Sequence, residues 1–144
     1  QAHAEAKKFD PIVLTQYRLA PDMFPLTKQV LIACDAAKLC VARLSGREAP
    51  VFADSEVTLL DLIARVHKTV DWIKTVPPSS LDGTELKSIT FPVGKDKTRT
   101  MMGEDYLKHW AIPNVFFHVT TTYAILRHNG VDIGKADYLL GAQT

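Results

Sequence analysis

Two cysteines, Cys34 and Cys40, are all the chain has, so no disulfide framework holds it together. They fall in one expected helix, six residues apart. The helical rise alone separates them by ~9 Å, beyond disulfide reach. Among small and apolar neighbours they read as buried free thiols rather than a redox pair. Free thiols fit a reducing, cytoplasmic setting. Neither sign of charge prevails: 17 basic side chains face 16 acidic ones, for a formal net charge of +1. No basic patch forms, which excludes the electrostatic footprint of a nucleic-acid partner. No apolar run approaches the ~18 residues of a membrane helix, and no signal-peptide pattern opens the chain. HExxH, Gly-rich phosphate loops and GxSxG are missing too, and with them the local signatures of three large enzyme classes.

What is present suits a single domain spanning residues 1–144. With 47% hydrophobic residues the chain can build one core without disulfides or a structural metal. Residues 1–8 (QAHAEAKK) favour helix and read as the end of one. The chain as given is therefore expected to begin inside its first helix, with roughly twenty further residues or a second chain covering the stripes left bare. Asp10-Pro11 caps a short helical turn through Gln16. Pro21-Asp22 opens a second helix with Asp22 as N-cap, and Gly46 ends it. Its stripe is Leu26, Val30, Ala33, Ala37, Cys40 and Leu44. Residues 45–57 are loop. Thr58 and Asp61 have capping-box spacing at the start of a third helix. Leu59, Ile63, Val66, Val70 and Ile73 form its expected buried stripe, and Pro77-Pro78 stops it.

Over residues 87–102 the period changes to two. Ile89, Phe91 and Val93 alternate with polar residues, and a Gly94-Lys95-Asp96 turn leads to Thr98–Met102, the pattern of a β-hairpin. Pro92 marks an edge position. The fourth helix runs from about Glu104 to Asn129 and stops at Gly130. Pro113 predicts a kink or break near residues 109–113. The tail, 131–144, reads as loop with Tyr138 and Leu139 packing back. The expected fold is all-α: an up-down four-helix bundle with a short β-hairpin between helices three and four.

Helix four carries the chemistry. Leu107, Ala111, Asn114, His118, Thr122 and Ile125 share one face, apolar at its ends and polar in the middle. A polar pair there must be hydrogen-bonded or liganded, because an unpaired buried polar group costs about 1–3 kcal/mol. Gln29, inward on the second helix, is the expected partner. Thr122 is a candidate lining hydroxyl, although hydroxyls in the Thr120-Thr121-Thr122 run can also bond back to the preceding turn. His109 lies on the opposite face, His128 suits the helix C-terminus, His67 borders the third stripe, and His3 is uninformative. Asp35, Glu104 and Asp105 read as surface or cap carboxylates.

HVTTTYAILRHNGV resembles the end of the last bundle helix in DinB/YfiT-like proteins, with His118, Leu126-Arg127 and Gly130 in the matching places. RLAPDMFPL (18–26), GEDYLKHWAIPN (103–114), FFHVTTTYAILRHNGV (116–131) and GKADYL (134–139) together resemble one branch of that superfamily, the domain of unknown function numbered one-nine-nine-three. The resemblance covers nearly the whole chain. It implies a four-helix bundle, a homodimer and a longer first helix. Many superfamily members hold a divalent metal with three histidines, one on the second helix and an HxxxH pair on the last. His118 matches the second histidine of that pair and is the only matching ligand position. Asn114 stands at the first, and Gln29 is the best match on helix two. Neutral amides are poor ligands for zinc- or nickel-like ions, so no metal or other cofactor is expected. The reading is a polar core site at Gln29, Asn114, His118 and Thr122 that takes a small polar ligand. The alternative is a metal- or thiol-dependent transferase or isomerase with His118 as ligand or general base.

Overall fold

The computed structural model describes residues 1–141. Helix α1 (Ala2–Lys7) ends at Lys8 in the left-handed conformation. The Asp10 carboxylate accepts from the Ile12 N–H at 2.9 Å and starts a 3₁₀ turn, Pro11–Gln16, as expected. Helix α2 (Leu26–Ser45) begins three residues later than an N-cap at Asp22 would place it, with Pro25 at the N-cap instead. Proline disfavours helical geometry in the residue before it, and Pro25 itself is extended, with φ −70° and ψ 167°. The preceding segment is instead a turn. Arg18 Nη1 donates to the Met23 carbonyl at 2.6 Å, and the Leu26 N–H reaches back to the Tyr17 carbonyl at 2.9 Å. Gly46, at φ 77°, stops α2 where a left-handed residue releases the chain.

Helix α3 (Leu59–Lys74) starts in the expected capping box: Thr58 accepts from the Asp61 N–H, and Asp61 accepts from that of Thr58. Strands β1 (Ser88–Pro92) and β2 (Thr98–Met102) pair antiparallel, with Pro92 opposite Thr98. Ile89 and Phe91 point inward. Phe91 lies 4.9 Å from the Tyr106 ring and 5.0 Å from Trp110. The last long helix comes in pieces: α4 (Gly103–Tyr106), a π-turn (Leu107–Ala111) and α5 (Ile112–His128). The break expected at Pro113 takes this form because proline has no N–H for the helical ladder. The Ile112 N–H accordingly bonds five residues back, to Leu107, in a π-bulge that absorbs the defect. The tail is a correction. Lys135–Leu140 form a helix, α6, not a loop. Asp137 Oδ2 accepts from the Gly134 N–H at 2.7 Å and caps it. Tyr138 does pack back, 3.0 Å from the Thr120 hydroxyl and edge-on to Tyr123, but Leu139 is exposed. Residues 142–144 of the expected loop lie outside the described residues.

The topology also differs from up-down packing. Helix α2 is central, and its outer neighbours do not pack on each other. Leu26 shares a core cluster with Ile125, and Cys40 and Leu44 share one with Tyr106 and Ala111, so α2 and α5 are antiparallel. Leu26 also packs with Leu59, Asp35 reaches Arg65, and Arg47 donates to the Thr75 carbonyl. Helices α2 and α3 therefore run parallel. Three long helical columns and a short α1 replace four equal up-down helices among the described residues. The link between α2 and α3 must return along a 20-residue helix, about 30 Å. Residues 46–58 can span roughly 40 Å when extended.

Arg65 holds that link down. Its side chain is 1% exposed. Nη1 donates to the Ala53 carbonyl at 3.0 Å and to Glu56 Oε1 at 2.9 Å, while Nη2 faces Asp35 at 3.3 Å and Asp54 at 3.4 Å. Lys28 pairs with Asp54 and Lys38 with Asp35. Lys38, Lys68 and Arg65 surround the Phe52 ring at 4.2, 4.3 and 5.0 Å, a cation–π arrangement. This explains why the expected α3 stripe is wrong. Leu62, Arg65 and Thr69 are its buried residues, whereas Ile63, Val66 and Val70 are exposed. The helix turns Arg65 towards α2 and the returning link. Ile63 and Val66 instead line an apolar groove of about 870 Å³ over α2, closed on the far side by Thr122 and Leu126 of α5. Among the described residues no helix is long and apolar enough to cross a membrane.

Two stability predictions follow from this packing. R65M leaves the Glu56 carboxylate, 12% exposed, without its cation, and removing one partner of a buried pair costs roughly 3–5 kcal/mol. R65M should lower stability by about 3 kcal/mol and open the Val51–Val57 segment to thermolysin. R65M/E56M should recover a measurable part of the loss. Additive losses in this cycle, read by urea unfolding, would contradict the account. At Gly103, an added Cβ would stand 2.0 Å from the Thr84 carbonyl oxygen, a backbone atom that cannot swing away. G103A should cost about 3 kcal/mol through overpacking, against roughly 1–2 kcal/mol for an alanine at Gly94, where the space is open but φ is 71°.

Candidate functional site

The expected site residues come together in part. His118 sits seven positions into α5 on the face that meets α2, and it is buried. Its Nδ1 is 2.7 Å from Gln29 Oε1 across the helix pair. Gln29, 1% exposed, sends its other amide atom elsewhere: Nε2 donates to the Phe24 carbonyl at 3.0 Å. That carbonyl can only accept, so the amide nitrogen must face it and the amide oxygen must face His118. His118 therefore carries its proton on Nδ1, which leaves a lone pair on Nε2. The late start of α2 is what puts the Phe24 carbonyl in place, since residues 17–25 fold as a turn around Gln29.

Nε2 has no hydrogen-bond partner among the described residues. His118 as a whole is 8% exposed, so the lone pair lies in a largely buried setting. Burial also holds the imidazole below its ordinary value of 6.5, because the charged form loses hydration. The ring is neutral at physiological pH.

Asn114, one turn earlier, is half-buried, and its side chain makes no hydrogen bond among the described residues. Thr122, one turn later, donates to the His118 carbonyl at 2.9 Å, and Thr121 does the same to Phe117 at 2.8 Å. Thr121 and Thr122 thus bond back into their own helix while Thr120 pairs with Tyr138, and Thr122 also lines the groove. His67 lines the groove from α3, and His3 bonds the Asn129 carbonyl at 3.1 Å. His109 and His128 are exposed. Both thiols are buried and free. Burial raises the Cys34 thiol and pushes Cys40 up to about 11, which makes both poor nucleophiles.

Sequence reasoning missed two parts. Asp35 is not an idle surface carboxylate but a member of the Arg65 cluster. The signal was an arginine in line with Leu62 and Thr69 on α3. The Phe24 carbonyl could not be foreseen, because backbone groups leave no mark in residue identity.

The donor set does not fit the three-histidine metal site of the superfamily. It offers one imidazole, whose Nδ1 is engaged, and two neutral amides, of which Gln29 has both amide atoms committed. Among the described residues no group of three His, Cys, Asp or Glu side chains converges on a common point.

The lowered His118 pKa makes a pH prediction. As pH falls, the unfolded chain takes up this proton before the folded one does. Stability is therefore complete above ~6.5 and declines as pH drops below it. H118Q should flatten the unfolding-temperature profile between about pH 6.5 and 5. Asp54, held low by its bond to Lys28, and Asp61, held low by the Thr58 backbone N–H, lose their contributions only at more acid pH. An unchanged slope in H118Q would mean that the ring is not desolvated.

The comparisons agree with this architecture. The solved structure of a DinB family member protein from Shewanella denitrificans is similar to this chain, with 44% identity and a TM-score of 0.89. The match covers 99% of this chain and 79% of that one. A search of the curated proteins gives no match. Residues 1–139 match the family described as Domain of unknown function (DUF1993). On that match and on the DinB-like fold around its His118–Gln29 pair, the chain belongs to the DUF1993 family.

Proposed function

We propose that this domain binds a small polar ligand at His118, with Nε2 as the anchoring acceptor. One observation carries the reading. A buried, neutral imidazole is fixed by a side chain on another helix, yet its second nitrogen has no hydrogen-bond partner among the described residues. A ring kept only for packing is expected to have both nitrogens satisfied. Asn114, half-buried one turn away with an unengaged amide, offers the ligand a second contact that can either donate or accept. Thr122 supports the site from below, since its hydroxyl is already given to the His118 carbonyl.

General-base catalysis by the same lone pair is the second reading, favoured by the neutral ring. It needs a nucleophile at Nε2, and the chain's own thiols stand elsewhere. Cys34 is buried in α2 beside the Arg65 side of the helix, and Cys40 packs with Leu44 and Tyr106. Binding asks less of the residues present.

Native mass spectrometry of protein purified without a histidine tag tests the proposal. A small molecule should co-purify, or be captured from a metabolite mixture, and H118A and N114L should each weaken its retention at least tenfold. Retention unaffected by both substitutions would refute the assignment. About one zinc or nickel per chain, lost in H118A, would replace it with a metal site.

A further inference from the structure

The orientation of Gln29 goes further than binding as such, because it decides what kind of group His118 can accept. Three atoms in series set the direction: the Phe24 carbonyl, the Gln29 amide and the His118 ring, at 3.0 and 2.7 Å. A backbone carbonyl has no donor form, so its end of the chain cannot reverse. An amide flip would set the Gln29 oxygen against the Phe24 oxygen, and since neither can donate, the hydrogen bond there would be lost. One arrangement is therefore dominant. The imidazole then presents an acceptor at Nε2 and no proton.

Around the ring there is nothing to reverse this preference. Desolvation alone acts on its charge state, and no charged side chain contributes. The buried cations of the domain, Arg65 and Lys38, are committed to Asp35, Glu56 and Phe52 on the other side of α2.

We infer that the Phe24–Gln29–His118 chain makes the site selective for ligands that present a hydrogen-bond donor, such as an amine, amide or hydroxyl, and that it rejects donor-free anions. This rests on the ligand-binding reading above and adds the chemical class. Gln29 is a positioning residue here: it acts on the ligand only through the ring it orients.

Nitrogen-15 NMR of the ligand-free protein above neutral pH reads the tautomer directly. His118 should show a protonated Nδ1 and an unprotonated Nε2. Q29E, whose carboxylate also accepts from Nδ1–H, should keep Nδ1 protonated but favour the imidazolium, so that Nε2 becomes protonated as well and the acceptor is lost. Q29M, which removes the acceptor, should give a mixture with a substantial Nε2–H population. A ring protonated mainly at Nε2 in the parent protein, or one unmoved in Q29M, would overturn the relay. Methylammonium and acetate then serve as probes on the folded protein. Methylammonium should shift the Nε2 resonance saturably and acetate should not, and the methylammonium effect should fall severalfold in Q29M. Equal response to both probes defeats the selectivity. The expected tautomer with no response to either probe would instead defeat the ligand-binding reading on which the selectivity depends. Circular dichroism and thermal unfolding of Q29M, set against the parent protein, guard against mistaking a folding defect for loss of the relay.

Discussion

One buried guanidinium sets the course of this chain. Arg65 lies on α3 at the one level where the helix, the returning link and α2 all meet. Its two terminal nitrogens hold Ala53, Asp54 and Glu56 of the link and Asp35 of α2. A parallel helix pair needs a long extended connection, and an extended connection has few backbone partners of its own. Without Arg65 that connection would be free, and a short antiparallel turn would close at lower entropic cost. A buried ion pair is weak as a source of net stability, since desolvation offsets most of the Coulomb gain. Its value here is directional. It makes one path of the chain acceptable and others costly.

The site follows from that path. Because the link returns to the starting end of α2, α3 lies on one side of α2 and α5 lies on the other. One helix thus serves two neighbours. Its α3 side handles charge: Asp35 and Lys38 reach the Arg65–Phe52 cluster. Its α5 side handles neutral polarity, where Gln29 meets His118. With the charges kept on the other side, burial holds the imidazole below its ordinary value. A carboxylate on α5's side would favour the imidazolium and change the site from acceptor to donor. The neutral state of His118 is therefore a consequence of topology as much as of local burial.

The sequence was informative where a residue's own backbone preference decides the outcome. Asp10-Pro11, the Thr58–Asp61 box, Gly46, Gly130 and the Ile89/Phe91 alternation act locally, and each appears as read. The break at Pro113 was legible, though not its π-turn form. The family resemblance and the Gln29–His118 pairing were legible as well, the pairing because two polar residues on facing apolar stripes have little other choice. What failed depended on partners distant in sequence. The α3 stripe was read from hydrophobicity alone, but Arg65 outcompetes Ile63 and Val66 for the inner face because the link supplies its counter-charges. The start of α2 was set at Asp22 by capping preference, while the turn tied by Arg18 and Tyr17 moved it past Pro25. Parallel α2 and α3 followed from a link whose length was visible and whose anchors were not. The capped helix at Lys135–Leu140 was missed because six residues give too short a period to recognise.

An internal hydrogen-bonded pair would be a complete explanation of Gln29 and His118 if the pair were closed. It is not closed. Gln29 could satisfy its amide with the Phe24 carbonyl and any hydroxyl on α5, and a core phenylalanine or leucine at position 118 would seal the interface with α2 at no polar cost. The sequence instead keeps an imidazole there, fixes its proton on the side facing Gln29, and leaves the basic nitrogen without a hydrogen-bond partner among the described residues. Packing requires none of these three features, and together they define an acceptor of fixed direction and no charge. Thr121 and Thr122 fit the same pattern. Their hydroxyls are returned to the carbonyls of Phe117 and His118, so neither competes for the ring. Asn114, one turn earlier, is the neighbouring side chain on this wall whose amide stays unengaged among the described residues.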